Sequence, residues 1–211
     1  MKKSIEKLLM KIYAGRADIH LDLYRLSNEH RRKHGRDCDM YPSDPLQAPL
    51  WTVFASLTHA RRILEVGCGH GYTTAVMASA AGPNCHVDTI EGDPLHAALA
   101  EQAFQQRHLS RQITVLRGRG LSILPKLKGR YDVVFLDGDW REYPRYIPHL
   151  RRLTRPGSAI VTANLNPLFG GWGSKLPGKP AIQSYLTRLV RDPHFHTYLV
   201  PGEWHSISVR V

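Results

Sequence analysis

The 211-residue sequence predicts an α/β protein built on an open, doubly wound, seven-stranded sheet. Three observations lead there. Short apolar runs alternate with helical patterns along most of the chain, which requires a parallel sheet with right-handed crossovers. The first run, Arg62-Ile63-Leu64-Glu65-Val66, passes into Gly67-Cys68-Gly69-His70-Gly71-Tyr72-Thr73, where three glycines at alternate positions meet the start of a helix. The chain closes differently, with two strand-like segments joined by Pro201-Gly202-Glu203, a link short enough for an antiparallel hairpin.

Taken in order, residues 3 to about 34 read as two helices, with apolar stripes at Leu8, Leu9 and Ile12 and at Leu21, Leu23, Tyr24 and Leu26. A turn-rich loop, Asp39-Met40-Tyr41-Pro42-Ser43-Asp44-Pro45, leads to a helix from Leu46 to Leu57. Strands are expected at 62–66, 86–91, 112–116, 132–136 and 158–163, and helices at 72–81, 94–107, 120–127 and 142–152. A Gly/Pro-rich loop, Asn166 to Pro180, precedes a helix at 181–190 and final strands at 195–200 and 204–211. With no internal repeat, one domain is expected, with residues 1–45 as a helical cap and loop and 46–211 as a Rossmann-like core.

Bulk properties narrow the class. Hydrophobic residues make up 42%, enough for a full core, and no apolar run is long enough to span a membrane. The charged start Met1-Lys2-Lys3-Ser4 is followed by no signal-peptide apolar region. Cys38, Cys68 and Cys85 are odd in number and form no C-x-x-C pair, so reduced thiols in a cytoplasmic protein are expected. The net charge of +11 suits an anionic substrate, an acidic partner or nucleic acid. Its densest cluster, Arg31-Arg32-Lys33-His34-Gly35-Arg36, reads as a solvated helix end stopped by Gly35. The chain lacks the aromatic-interleaved basic surface of a single-strand binder, so nucleic acid is not the expected partner. His194 and His196 have zinc-like spacing but no further ligand near them in sequence, and read as a strand face.

The glycine turn points to a nucleoside. Glycines there let the backbone approach a ligand, and the new helix turns its free N–H groups toward it. The second apolar run ends in Glu91, 91 − 71 = 20 residues past the last glycine, where a carboxylate can accept both hydroxyls of a ribose. Tyr72 fills the place of the third glycine in a dinucleotide fingerprint, and no Lys-Ser/Thr pair serves a triphosphate. Ligands of open α/β sheets bind beyond the carboxyl ends of the strands. The segments there are Gly67 to Thr73, Glu91, Arg117-Gly118-Arg119-Gly120, Asp137-Gly138-Asp139-Trp140 and Ala163-Asn164.

A glycine loop without the pyrophosphate pattern but with the ribose acid resembles motif I of the class I S-adenosylmethionine-dependent methyltransferases. Glu65 and Gly71-Tyr72-Thr73 resemble more narrowly the catechol and caffeoyl-CoA O-methyltransferase branch. So do Phe135-Leu136-Asp137-Gly138-Asp139 with Tyr143, Gly118 to Pro125, and Asp192-Pro193-His194-Phe195; the likeness runs from about Met40 to Val211. It implies S-adenosylmethionine as cofactor. Ser43 and Asp44 would close over its methionine end, Gly67 and Gly69 would approach that end with Thr73 nearby, and Met40, Glu65 and Gly71 would also bind the cofactor. Glu91 and Gly92 would take the ribose, Gly118, Arg119 and Gly120 the adenine, and Asp137 and Asp139 would border the cofactor beside the acceptor.

The resemblance also implies a divalent cation, held in this branch by a strand-four Asp and an Asp-Asn pair after strand five. Here Asp137 and Asn164 stand in two of those places and Ala163 in the third; Trp140 stands where the branch carries a lysine base. If any residues hold a cation, they are Asp137 and Asn164. Losing one carboxylate weakens a hard-cation site, so weak or absent metal dependence is expected. The expected catalytic set is Asp137, Asp139 and Asn164. Asp139 reads equally as a base or a helix cap, and Trp140 as an acceptor wall or as packing. His205 is a candidate for the substrate mouth, His70 lies by the cofactor without an assigned role, and Phe169 to Lys175 reads as a lid or a connector. The leading function is O-methylation of a small hydroxylated acceptor, and the basic surface suits an anionic one. The alternatives are an RNA- or N-directed methyltransferase and a catalytically silent cofactor-binding regulator. Dimerisation comes from the resemblance alone.

Overall fold

The computed structural model describes residues 8, 12, 19–35, 38, 40–165, 179–200 and 205–211. Helix α1 (Leu21–His34) and helix α2 (Ala48–Leu57) precede strand β1 (Arg62–Val66). Then come α3 (Tyr72–Ala81), β2 (His86–Glu91), α4 (Pro94–Gln106), β3 (Ile113–Arg117) and a single turn, α5 (Gly120–Ile123). Strand β4 (Val133–Leu136), α6 (Tyr143–Leu153), β5 (Ala159–Thr162), α7 (Lys179–Val190), β6 (Phe195–Leu199) and β7 (Ser206–Arg210) complete the chain.

The strands form one seven-stranded sheet in the order β3-β2-β1-β4-β5-β7-β6. All neighbours from β3 to β5 pair in parallel, and β7 runs antiparallel to both β5 and β6. The expected mostly parallel sheet with an antiparallel terminal hairpin is what forms. Chain order reverses between β1 and β4, which opens a crevice at their carboxyl ends. Strands β4 and β5 are buried on both faces, which is why they read as unbroken apolar runs. Trp51 of α2, the α3 helix and Phe104 of α4 pack one face of the sheet. Helices α6 and α7 cover the other with Tyr143, Tyr146, Leu150 and Tyr185.

Local chemistry sets the helix ends. Asp93 caps α4, its Oδ1 accepting from Leu95 N at 2.8 Å and His96 N at 3.1 Å, and Pro94 opens the first turn. Gly35 ends α1 in the left-handed region, as the basic run before it suggested. The helix expected at 120–127 divides into α5 and a 3₁₀ turn, Leu124–Lys126, because Pro125 has no N–H to continue an α-helix. Arg152 closes that turn by donating to the carbonyls of Leu124 and Leu127, each at 2.7 Å. Helix α6 carries Pro148 in its interior, which leaves the carbonyl of Pro144 without a helical partner; Arg188 of α7 donates to it at 2.9 Å. Of the first expected helix only Leu8 and Ile12 are described, both helical and exposed. The segment Phe169 to Lys175 and the 201–203 link lie outside the described residues.

Two glycines end α3 in left-handed conformations but differ in what surrounds them. A Cβ on Gly71 (φ +84°) would lie 2.3 Å from the Phe104 ring, and one on Gly82 (φ +82°) would meet open space. Gly82→Ala should therefore cost only backbone strain, about 1–2 kcal/mol, while Gly71→Ala adds overpacking for a loss of about 2–5 kcal/mol. Urea unfolding of the two variants checks this, and equal losses would contradict the packing role of Gly71.

Candidate active site

The crevice is shaped by a carboxylate at the tip of β2. Glu91 Oε2 accepts from the backbone N–H of Cys68 at 3.1 Å and of Gly69 at 2.8 Å, and Oε1 accepts from Asp93 N at 2.8 Å. The acid predicted to meet a ribose thus also holds the glycine turn in place. Gly67 (φ +99°) lies so close to the exit of β4 that a Cβ would sit 2.5 Å from the Asp137 carbonyl oxygen. Its conformation therefore serves close packing between two strand ends, and a Cβ there would displace backbone. Gly118 joins the same rim, its N–H donating to the Glu91 carbonyl at 2.8 Å. Gly92 sits opposite it, 4.0 Å from the Gly118 carbonyl to an added Cβ.

Several of the predicted cofactor-binding residues come together on one side of the turn. Ser43 Oγ donates to Asp137 Oδ2 at 3.3 Å, and Thr73 Oγ1 donates to Ser43 Oγ at 3.3 Å. Met40 is buried with its Cγ 3.4 Å from where a Cβ of Gly69 would stand. Glu65 is wholly buried; its Oε2 accepts from Thr89 Oγ1 at 2.6 Å and from Thr74 Oγ1, and its Oε1 has no hydrogen-bond partner. Burial raises the Glu65 carboxyl to a pKa of about 8, with the charges of Asp137 and Glu91 adding to the rise against the two threonine hydrogen bonds. Asp137 is half-buried as a residue, but its carboxyl is the enclosed part, and desolvation raises its pKa to about 7 against the Ser43 hydrogen bond.

Two residues along the same loop the balance reverses. Asp139 Oδ1 accepts from Arg141 N at 3.0 Å and Arg141 Nε at 2.8 Å, and Arg119 reaches Oδ2 at 3.3 Å. Partial burial works to raise its pKa, but these contacts outweigh it and hold Asp139 below the ordinary carboxylate range. Arg119 pairs chiefly with Glu142, at 2.6 Å. Glu142 in turn accepts from Tyr146 Oη at 2.7 Å, and Tyr146 packs where a Cβ of Gly120 would stand, 2.1 Å from its hydroxyl. Glu142 and Tyr146 were not singled out in the sequence; their four-residue helical spacing is the only local signal. Trp140 packs partly on the apolar cluster under α6, with the Arg141 guanidinium 5.2 Å from its ring.

The loops after β4 and β5 are joined by Tyr143, whose hydroxyl donates to the carbonyls of Gly138 at 3.3 Å and Ala163 at 3.4 Å. Asn164 adopts a left-handed backbone, φ +62°, next to that contact. His205 is buried, its ring 5.5 Å from that of Trp51, and desolvation lowers its pKa to about 4. His194 precedes β6 and pairs with Asp192 at 2.9 Å. His70 is buried, and neither ring nitrogen has a hydrogen-bond partner.

A doubly wound sheet with a glycine turn at its switch point, answered by an acid at the tip of the next strand, defines a class I nucleoside-cofactor fold. A sequence model of the O-methyltransferase family matches residues 22–176, and the chain belongs to the O-methyltransferase family. It is 37% identical over 125 residues to a catechol O-methyltransferase of Niastella koreensis, covering 57% of each chain. It is 36% identical over 120 residues to a catechol O-methyltransferase of Mycobacterium tuberculosis, covering 56% of this chain and 54% of that one. The matched region thus spans little more than half the length of either relative. The crystal structure of an O-methyltransferase from Bacillus cereus in complex with SAH superposes with a TM-score of 0.84 over 99% of this chain and 97% of that one, at 19% identity. It bears out the Rossmann-like fold.

The buried acids give the unliganded protein a definite pH response. A carboxyl whose folded pKa lies above its unfolded value near 4 contributes stability that is complete below pH 4 and is lost as pH rises through the folded pKa. For Asp137 and Glu65 that window runs from about pH 4 to their folded values of about 7 and 8. Asp137→Asn should therefore be more stable than the parent at pH 8 by about 1–3 kcal/mol, and no more stable at pH 4. Urea unfolding at the two pH values measures this, and a gain independent of pH would contradict it.

Proposed function

We propose that the chain transfers a methyl group from S-adenosylmethionine to a hydroxyl of a small acceptor, with Asp137 taking the proton and no divalent cation taking part. The observation that carries this reading is the set of three carboxylates at the switch point, Glu65, Glu91 and Asp137, held by hydroxyls and backbone N–H groups. A cofactor with an ammonium, a sulfonium and a ribose supplies what such a site lacks. The partnerless Glu65 Oε1 suits the ammonium and Glu91 suits the ribose diol. Met40, Ser43 and Thr73 border the same end, and Gly92, Gly118, Arg119 and Gly120 flank the adenine side on this reading.

When bound, the cofactor supplies an electrophilic methyl on sulfur; the protein has to align an oxygen behind it and receive a proton. The acceptor O–H bond breaks, its oxygen forms the new bond to the methyl, and the carbon–sulfur bond releases a neutral thioether. Asp137, raised by desolvation to about 7, is placed to hold that proton near neutral pH. Asp139 is tied to Arg141 and Arg119 and serves as a brace for the loop. The donors do not fit a hard cation. Ala163 offers no side-chain oxygen, and the Asp137 carboxyl is desolvated and engaged with Ser43, whereas Mg²⁺ or Ca²⁺ needs six or more oxygens.

The purified protein should bind S-adenosylhomocysteine and methylate members of a catechol and hydroxybenzoate panel, with activity retained in excess chelator. Asp137→Asn should lower kcat by about 10²–10⁴, with little change in S-adenosylhomocysteine affinity at pH 6, where the parent's Asp137 is largely protonated. Cofactor binding without turnover over the panel would favour a silent regulator, and activity abolished by chelator would overturn the metal-free reading.

A further inference from the structure

Away from the carboxylates, the structure gathers histidines and a cysteine that sequence spacing keeps far apart. The ligand atoms of His30, Cys38 and His96 all lie within 4.8 Å of one another, and Cys38 Sγ stands 3.8 Å from His96 Nε2. They come from three places: the third turn of α1, the segment after it, and the first turn of α4. His70, inside the glycine turn, presents its ring 5.2 Å from that of His30, and both its nitrogens are buried without partners. Cys38 and His96 are buried as well, and His30 is half-buried.

We propose that His30, Cys38 and His96, with His70 as fourth ligand, form a zinc-type metal site that fastens the N-terminal helix to the glycine turn. The donor set decides the class of ion: one thiolate with imidazoles selects zinc and its neighbours and rejects magnesium and calcium. A tetrahedral zinc with Zn–S of about 2.3 Å and Zn–N of about 2.0–2.1 Å spaces its ligand atoms roughly 3.3–3.6 Å apart. The Cys38–His96 pair is already close to that spacing, the pairs with His30 need to close by at most about 1.5 Å, and His70 joins from beside His30 by turning its unpartnered ring toward the ion. The carboxylate of Asp93 caps α4 three residues before His96 and adds negative charge at a helix N-terminus that alone would repel a cation. Cys38 lies two residues before Met40, which rests on the glycine turn, so the ion would pin the cap where it meets the cofactor loop. The site shares no ligand with Asp137 or Asn164.

Cobalt(II) titrated into metal-stripped protein tests this without any assay of turnover. One equivalent should give the visible bands of tetrahedral cobalt and a near-ultraviolet thiolate-to-cobalt band, both displaced by zinc. Cys38→Ser should remove the thiolate band. Cys38→Ser, His96→Ala and His70→Gln should each weaken zinc binding, measured calorimetrically, by at least about tenfold. Melting curves of the metal-free variants establish that each is folded, and His149→Ala should bind as the parent does. A cobalt spectrum without the thiolate band, or parental zinc affinity in Cys38→Ser and His96→Ala, would overturn the site and leave adventitious binding at other histidines. Parental affinity in His70→Gln would overturn its place as fourth ligand.

Discussion

Glu91 accepts three backbone N–H bonds, two from the glycine turn after β1 and one from the start of the segment leading to α4. A carboxylate that receives several backbone donors is held far more firmly than a lone surface acid, because each bond is charge-assisted and the group is mostly withdrawn from water. This contact joins the tips of β1 and β2. Once the turn is fixed, Gly67 presses on the Asp137 carbonyl, and the exit of β4 is fixed with it. Asp137 N then donates to the Val66 carbonyl at 2.8 Å, closing the arrangement across the switch point. The positions of Ser43, Thr73 and Met40 follow, since each touches either Asp137 or the turn.

Most of the scaffold was readable because its signals are local. Strands β4 and β5 are continuous apolar runs, as burial on both faces requires, and α3 occupies the 72–81 span its pattern implied. The helix at 120–127 was misread as continuous because an apolar period outvoted Pro125, whose missing N–H ends the α-helix. Pro148 raised the opposite difficulty and was absorbed, because Arg188 reaches the stranded Pro144 carbonyl from another helix. No local pattern encodes such a rescue. The residues of the site were readable by position after each strand, but their environments were not. Asp137 and Asp139 look alike in sequence, yet one is desolvated beside Ser43 and the other is held by two arginines. The grouping of His30, Cys38, His70 and His96 was invisible for the same reason: only the fold sets α1 against the glycine turn and the start of α4.

The distribution of charge also separates scaffold from site. The chain carries a net charge of +11, yet the switch point collects three carboxyl groups in a region poor in water. Burying acids there costs stability unless they hold a proton or meet a cation. Glu65 is the clearest case, being wholly buried in a strand body where an apolar residue would pack without cost. A fold selected for stability alone has no use for it. On the proposed reading the cost is offset when a cationic cofactor binds, and Glu65, set against its ammonium, releases its proton as it does so.

The two replacements at the reacting end, Ala163 and Trp140, then make sense together. In the resembled branch a cation would bridge the loops after β4 and β5. Here the Tyr143 hydroxyl also ties those loops, donating to the Gly138 and Ala163 carbonyls, a contact that needs no side chain from residue 163. On the proposed metal-free reading, ionisation of the acceptor comes from a base whose pKa lies near neutrality. A lysine beside Asp137 would work against that, because its positive charge would favour the carboxylate and lower the pKa that desolvation raises. Trp140 adds no charge at this place, so it leaves the desolvation that raises the Asp137 pKa unopposed.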